Sequence, residues 1–256
     1  MKIEIDKIIV FRLSGKYAHF RKFYTNASSL SYLLPPRTVV IGIIASVLKI
    51  PRDEYYEILH QENLKISVRI PDNQIIRKQT QSLNYLHNKY FTLLAKGRGK
   101  IQHSPTKLEL LMHPMGKNIE YIIYVAGNSN NERLNEFEGK LMIEDFGYGV
   151  YLGQRQFRAD IEYIGSYGIS DFIFLDESEY LDSICAEENY IDCNLNSEIN
   201  VWAEQMPVHF KQVKAKNKTG REPVTVKRIY FERYGRRLTG KFKNCYRLDE
   251  KYISFY

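Results

Sequence analysis

Residues 30–51 read LSYLLPPRTVVIGIIASVLKIP, and how this stretch folds decides the architecture. Two prolines and an arginine precede an almost wholly apolar run with Gly42 near its middle. The run is rich in Val and Ile, so β propensity alone makes it a buried strand. Three features make it a helix instead. Thr38 follows the prolines as a candidate N-cap. Gly42, Ala45 and Ser46 recur at spacings of three and four, which puts small residues on one helical face. The run is also longer than an ordinary buried strand. A helix apolar on all sides must be covered on most of them.

Working outward, residues 2–13 alternate apolar with polar and read as a strand. After Pro51, RDEYYEILHQ reads as a short helix and LKISVRI as a strand. NQIIRKQTQSLNYL, TKLELLMHP and IEYIIYVAG read as three more strands. The stretch between the first two of these, HNKYFTLLAKGRGKIQHSP, is basic and contains glycine, and reads as an arm or hairpin tip. NERLNEFEGKLMI places Leu134, Phe137 and Leu141 on one helical face. This order approximates the split β-α-β arrangement of a ferredoxin-like domain. A glycine-aromatic loop, FGYGVYLGQRQFRADIEY, leads into a mainly β remainder. The expected fold is therefore α+β. A ferredoxin-like (RRM-like) N-terminal domain spans 1–158, with an inserted β-hairpin at about 77–117. A smaller mainly-β region with a basic tail spans 159–256. The polar segment KQVKAKNKTGREP is the expected mobile loop.

No apolar run approaches the ~18 residues that suggest a membrane span, so no membrane partner is expected. Three cysteines without a C-x-x-C pair argue against zinc and for a reducing, cytoplasmic setting. Neither a P-loop nor a dinucleotide fingerprint occurs, so no cofactor and no metal are expected. Charge is more informative. Residues 207–247 carry thirteen Lys/Arg against two acids, whereas 159–206 carry twelve acids and no Lys or Arg. Such asymmetry implies a polyanion-facing surface and a separate acidic one. The acidic stretch 171–198 is expected to face protein or solvent.

Two further basic segments, 7–37 and 77–117, are interleaved with aromatic residues. Cations that neutralise phosphates, beside rings that accept unpaired bases, are what a single RNA strand requires. The candidate RNA-binding residues are Lys16, Tyr17, His19, Arg21, Lys22, Tyr32, Arg37, Lys78, Lys96, Arg98, Lys100, Gln154, Arg155 and Arg158. In the tail, Lys214, Lys216, Lys218, Arg221, Lys227, Arg228, Arg236 and Arg237 are candidates for RNA or DNA contact. Glycines 147, 149 and 153 allow a backbone cradle for phosphate. For cleavage, Lys16, Tyr17 and His19 are the one set that offers a base and an acid near a 2′-hydroxyl. Simple phosphate contact is the reading preferred for them.

Three segments resemble one family. SYLLPPRTVVIGIIASVL resembles the proline-then-helix signature of the Cas5 family, one of the repeat-associated mysterious proteins (RAMPs) of CRISPR systems. GKYAHFRKFYT resembles its G-x-x-A-x-F-R segment through Gly15, Ala18, Phe20 and Arg21. VYLGQRQFRADI resembles its Y-L-G-x-R-x-F motif through Tyr151, Leu152, Gly153, Arg155 and Phe157. The likeness covers roughly the first two-thirds of the chain and is nearer the type I-B than the cleaving type I-C form.

The resemblance implies a non-catalytic subunit of the type I Cascade surveillance complex in antiviral DNA interference. Such a subunit holds the 5′ handle of the crRNA and touches the backbone and large subunits, with target DNA near the protospacer-adjacent motif as a further contact. The alternative it leaves is a metal-independent endoribonuclease that processes pre-crRNA repeats. It also implies a hairpin thumb at about 77–117. On this reading Pro35 and Pro36 fix an extended entry, Arg37 meets RNA, and Gly42 lets helix and sheet approach closely.

Overall fold

The structure is a computed structural model and describes residues 4–25, 29–85, 88–97, 104–196, 198–215 and 218–256. In chain order its main elements begin with β1 (Lys7–Gly15), α1 (Arg37–Val47), β2 (Lys65–Arg69) and β3 (Arg77–Tyr85). They continue with α2 (Asn88–Ala95), β4 (Ser104–Met112), β5 (Ile119–Gly127), α3 (Glu132–Met142) and β6 (Asp160–Gly168). The remainder is β: β7 (Phe172–Leu181), β8 (Tyr190–Cys193), β9 (Val201–Ala215), β10 (Lys218–Glu232), β11 (Leu238–Leu248) and β12 (Lys251–Ser254).

The central sheet has the order β2-β5-β1-β6, and every neighbouring pair is antiparallel. Its inner strand β1, read from the sequence as alternating, is instead apolar on both faces from Ile8 to Phe11. Ile9, Phe11 and Leu13 join a core shared with α1 and α3. Ile8 and Val10 join a second core with Phe172, Leu248, Ile253 and Phe255. Both faces are covered, so both must be apolar. α3 docks through Leu134, Phe137 and Leu141, and the Phe137 ring meets Phe11 edge-on at 5.6 Å. Asn131 starts this helix by accepting from the backbone N–H groups of Arg133 and Leu134.

α1 is the helix that the 30–51 stretch predicts, with a different start. Pro36 is the N-cap residue, and its carbonyl accepts from the N–H groups of Val39 (2.8 Å) and Val40 (3.2 Å). Thr38 lies inside the first turn and caps nothing. The first helical residue, Arg37, turns inward and is fully buried. Its guanidinium donates to the carbonyls of Leu59 (2.9 Å), Leu64 (2.9 Å) and Val208 (3.2 Å). Burial lowers its pKa to about 10. Arg37 therefore ties α1 to the segment after it and to β9, and it cannot meet RNA. Eight of the eleven residues of α1 are buried; Val39, Gly42 and Ser46, on one face, are the exceptions.

The segment read as a second helix, 52–61, is a chain of turns. Asp53 adopts φ 68, in the left-handed region, which breaks helical continuity. Tyr55, Tyr56 and Leu59 are buried and anchor the turns on the core. β3 and β4 form the expected hairpin, in register from Arg77↔Met112 to Tyr85↔Ser104, with α2 between them. The segment KQVKAKNKTGREP is not a loop. Within the described residues it belongs to β9 and β10, a hairpin paired from Val201↔Glu232 to Ala215↔Lys218.

The boundary expected after residue 158 cuts through one body. β6 lies beyond it and supplies the edge strand beside β1. Ile184, Met206, Phe210, Ile229 and Phe231 share the core of α1. Backbone bonds from Ile184 N–H to Val68 (3.0 Å) and from Tyr256 N–H to Ile66 (3.2 Å) fasten the later segments to β2.

Candidate nucleic-acid interface

The uncovered face of α1 is the floor of a groove of about 760 Å³. Its walls come from the residue 148–156 loop, Arg21 and Ser29, Thr106 and Leu108 at the hairpin base, Arg52 with Tyr55, and Arg221 of β10. Four arginines line it and no aspartate or glutamate does. Asp53 stands behind one wall, 3.5 Å from Arg52 Nε and accepting from the Tyr56 hydroxyl at 2.5 Å. The Arg221 guanidinium lies 5.2 Å from the Phe210 ring centre and bonds to the Tyr56 side chain. β10 thus brings a cation from the distant tail to the N-terminal segments. Four arginines gathered on one groove favour an anionic ligand.

Glycine packing explains how the loop reaches this place. A Cβ on Gly147 would fall 2.9 Å from the Ser46 carbonyl oxygen, and one on Gly153 would fall 1.9 Å from that of His19. Gly153 also holds φ +88. Tyr148 N–H donates to Ser46 (3.0 Å), and His19 N–H donates to Leu152 (3.1 Å). The glycines at 147 and 153 therefore clamp the loop onto α1 and onto the segment carrying His19, while Gly149 and Gly153 line the groove. The clamp leaves Tyr148 and Tyr151 exposed and lining the groove together with Gln154, Arg155 and Gln156.

Of the sequence-predicted residues, Arg21, Gln154, Arg155 and Arg221 line the groove. Arg158 is exposed beside it, its guanidinium near Gly149. Others are turned to structural use. Lys22 pairs with Glu204 at 2.5 Å, and Lys78 lies 3.5 Å from Glu109 and 4.0 Å from Glu204. Tyr32 is buried and donates to the Gln205 carbonyl at 2.6 Å, so its ring is closed to bases. Lys96 is exposed just after α2, and Arg98, Lys100 and Lys216 lie outside the described residues. Lys214 and Lys218 lie near the turn end of the β9–β10 hairpin.

The basic tail and the acidic stretch meet in three ion pairs and one bond to a carbonyl. Lys227 pairs with Glu188, Arg228 with Glu187 at 3.4 Å, and Arg237 with Asp182 at 3.0 Å, while Arg236 donates to the Glu198 carbonyl. Only Arg221 of the tail set reaches the groove. Arg52, Tyr148 and Gln156 are groove residues that sequence reasoning missed. Arg52 sat in a segment read as helix, and the other two lay in a loop valued for its glycines.

A family model described as "CRISPR-associated protein (Cas_Cas5)" matches residues 8–191. The chain belongs to the Cas5 family. In fold it is similar to a chain of a "CRISPR RNA-guided surveillance complex" at 11% identity, covering 88% of this chain and 89% of that one, with a TM-score of 0.49. It is also similar to a CRISPR protein from Archaeoglobus fulgidus at 9% identity, covering 97% of each chain, with a TM-score of 0.47. No curated protein matches the chain.

The trio considered for cleavage is dispersed in this Cas5 chain. His19 is buried, its Nδ1 2.8 Å from the Glu109 carbonyl and its Nε2 2.9 Å from the Ser29 hydroxyl. Lys16 donates to the Gly116 carbonyl at 2.5 Å, and the exposed Tyr17 ring leans on Phe157 at 6.4 Å. A histidine bonded at both nitrogens and closed to solvent cannot take a proton from a 2′-hydroxyl.

Two buried histidines give the Cas5 chain a defined response to acid. Burial lowers the pKa of His19 and of His209; at His209 the nearby His60 and Arg37 add to the effect. The His209 ring stands 4.4 Å from that of His60, and its Nδ1 has no partner among the described residues. Both groups have a folded pKa below the unfolded value of about 6.5. The unfolded chain then binds more protons in this range, so stability is full above that value and falls as pH drops through the folded values. A melting series from pH 7.5 to 5 should show a declining midpoint, and His209→Gln should flatten the decline. A flat profile for the unaltered chain would contradict this account.

Proposed function

We propose that this Cas5 chain is a non-catalytic RNA-binding subunit of a type I CRISPR Cascade surveillance complex, and that the groove seats the 5′ handle of the crRNA. The observation that carries the reading is the meeting of Arg21, Arg52, Arg155 and Arg221 on one groove that, among the described residues, no carboxylate lines. Exposed Tyr148 and Tyr151 add rings on which unpaired bases stack. Family membership supports the setting. We read the central sheet, with α1 and α3 as its crossovers, as ferredoxin-like of the RAMP kind. The β3–α2–β4 hairpin is its thumb and, with the large subunit, a contact for the complex backbone. The dispersal of Lys16, Tyr17 and His19 favours the non-cleaving, type I-B-like form over the endoribonuclease. The turn end of the β9–β10 hairpin, with Lys214 and Lys218, is the surface left for target DNA.

The test is the salt dependence of binding to a fluorescein-labelled repeat RNA, followed by anisotropy. Four phosphate contacts predict a log–log slope near −2.8, from about −0.7 per contact on a single strand. A binding constant that hardly moves between about 50 and 200 mM salt would instead favour a purely bridging, protein-facing role.

A further inference from the structure

Gly42 lines the groove, and packing of the fold does not explain its identity. Glycine weakens a helix interior relative to alanine. The expected reason for it, close packing of α1 against the sheet, is not what the structure contains. A Cβ on Gly42 would meet only the Tyr55 hydroxyl, at 3.4 Å, which is ordinary contact. Among the described residues nothing else comes within 4 Å of that Cβ, and Gly42 lines the groove. By contrast, Gly147 and Gly153 are each hemmed in by backbone atoms closer than 3.0 Å. Gly42 also lies midway along the only uncovered face of α1, between Val39 and Ser46. The groove is thus divided. Its floor near Gly42 is apolar, with Val39, Ile43 and Tyr55, and its rim carries the guanidinium groups.

We propose that Gly42 is a specificity-determining position, the bare patch of helix against which one unstacked base of the bound RNA lies flat while the rim arginines hold the flanking phosphates. This rests on reading the groove as an RNA seat. A helix surface without a side chain lets a flat base approach the backbone closely, and a bulky residue at 42 takes the base's place. The arrangement reverses the roles expected from sequence: Arg37 belongs to the fold, and Gly42 to the ligand.

The experiment uses the full chain and a short, labelled, repeat-derived RNA, with thermal melting beside every binding curve. Gly42→Ala should melt no lower than the unaltered protein yet bind RNA measurably more weakly, because its methyl lifts the base off the helix. Gly42→Leu should also fold, yet bind at least about ten-fold more weakly, the scale of one lost base contact. Abasic nucleotides placed one at a time should weaken binding sharply at one position, and that loss should vanish in Gly42→Leu. Full-strength binding by Gly42→Leu, an abasic loss equal in both proteins, or failure of Gly42→Leu to fold would each overturn the inference. An Arg155→Ala/Arg221→Ala variant separates the two levels. If it binds weakly while Gly42→Leu binds normally, only the floor is wrong. If neither variant affects binding, the groove itself is not the RNA seat.

Discussion

Arg37→Ala is expected to unfold the protein or leave it barely stable. The substitution removes the donors to three buried carbonyls, those of Leu59, Leu64 and Val208, and leaves a cavity where a fully buried side chain stood. A hydrogen bond from a charged group contributes about 1.5–3 kcal/mol, and an unpaired buried carbonyl costs about 1–3 kcal/mol. A total loss of at least about 4 kcal/mol is a large part of the ~5–15 kcal/mol that holds a domain folded. For a chain of this size the melting midpoint should fall by roughly 10 °C or more. Arg37→Lys should rescue little, because a single ammonium cannot present the planar fork that reaches three separate segments. Urea denaturation of both variants is the measurement. Wild-type stability of Arg37→Ala, with reduced RNA binding, would restore the surface role expected from sequence and refute the burial described above.

The misplacement of Arg37 shows what the sequence could and could not convey. Periodicity locates α1, α3 and most strands of the central sheet, because each needs only a local pattern of apolar residues. β1, β2 and β5 were legible for the same reason, and so was the hairpin at 77–112. What periodicity cannot express is the direction of a single polar side chain. An arginine after two prolines looks the same whether it turns to solvent or inward, and the choice is made by carbonyls 22, 27 and 171 residues away. Tyr32, Lys22 and Lys78 were misread in the same way, since their partners Gln205 and Glu204 lie in β9. The tail was misread for a related reason. Its charge was counted as a block, but folding sets β10 and β11 beside acids of the 182–198 stretch, and Lys227, Arg228 and Arg237 are taken up in ion pairs there. Arg21 and Arg155 belong to two separate segments and line one groove, because the clamp made by Gly153 on the His19 backbone joins those segments directly.

That convergence sets the second large effect. Arg155→Glu combined with Arg221→Glu should reduce affinity for repeat RNA by about a hundred-fold or more. Two charge-assisted contacts of about 1.5 kcal/mol each account for roughly 3 kcal/mol, which is already about a hundred-fold. Reversal adds repulsion from the phosphates. The salt slope should flatten by at least about 1.4, the share of two phosphate contacts. Stability should respond differently at the two sites. Arg155 is exposed, and its change should fall within about 0.5 kcal/mol of neutral. Arg221 rests on Phe210 and bonds to Tyr56, so its loss should also loosen the β10 side of the groove. Comparison of the two single variants therefore separates charge from scaffolding. Arg155→Glu should act on affinity and salt slope alone, whereas Arg221→Glu should lower the melting midpoint as well. If Arg155→Glu left both affinity and slope unchanged while the protein stayed folded, the positive rim would have no part in holding RNA. The cations at the turn end of the β9–β10 hairpin would then have to supply the binding instead.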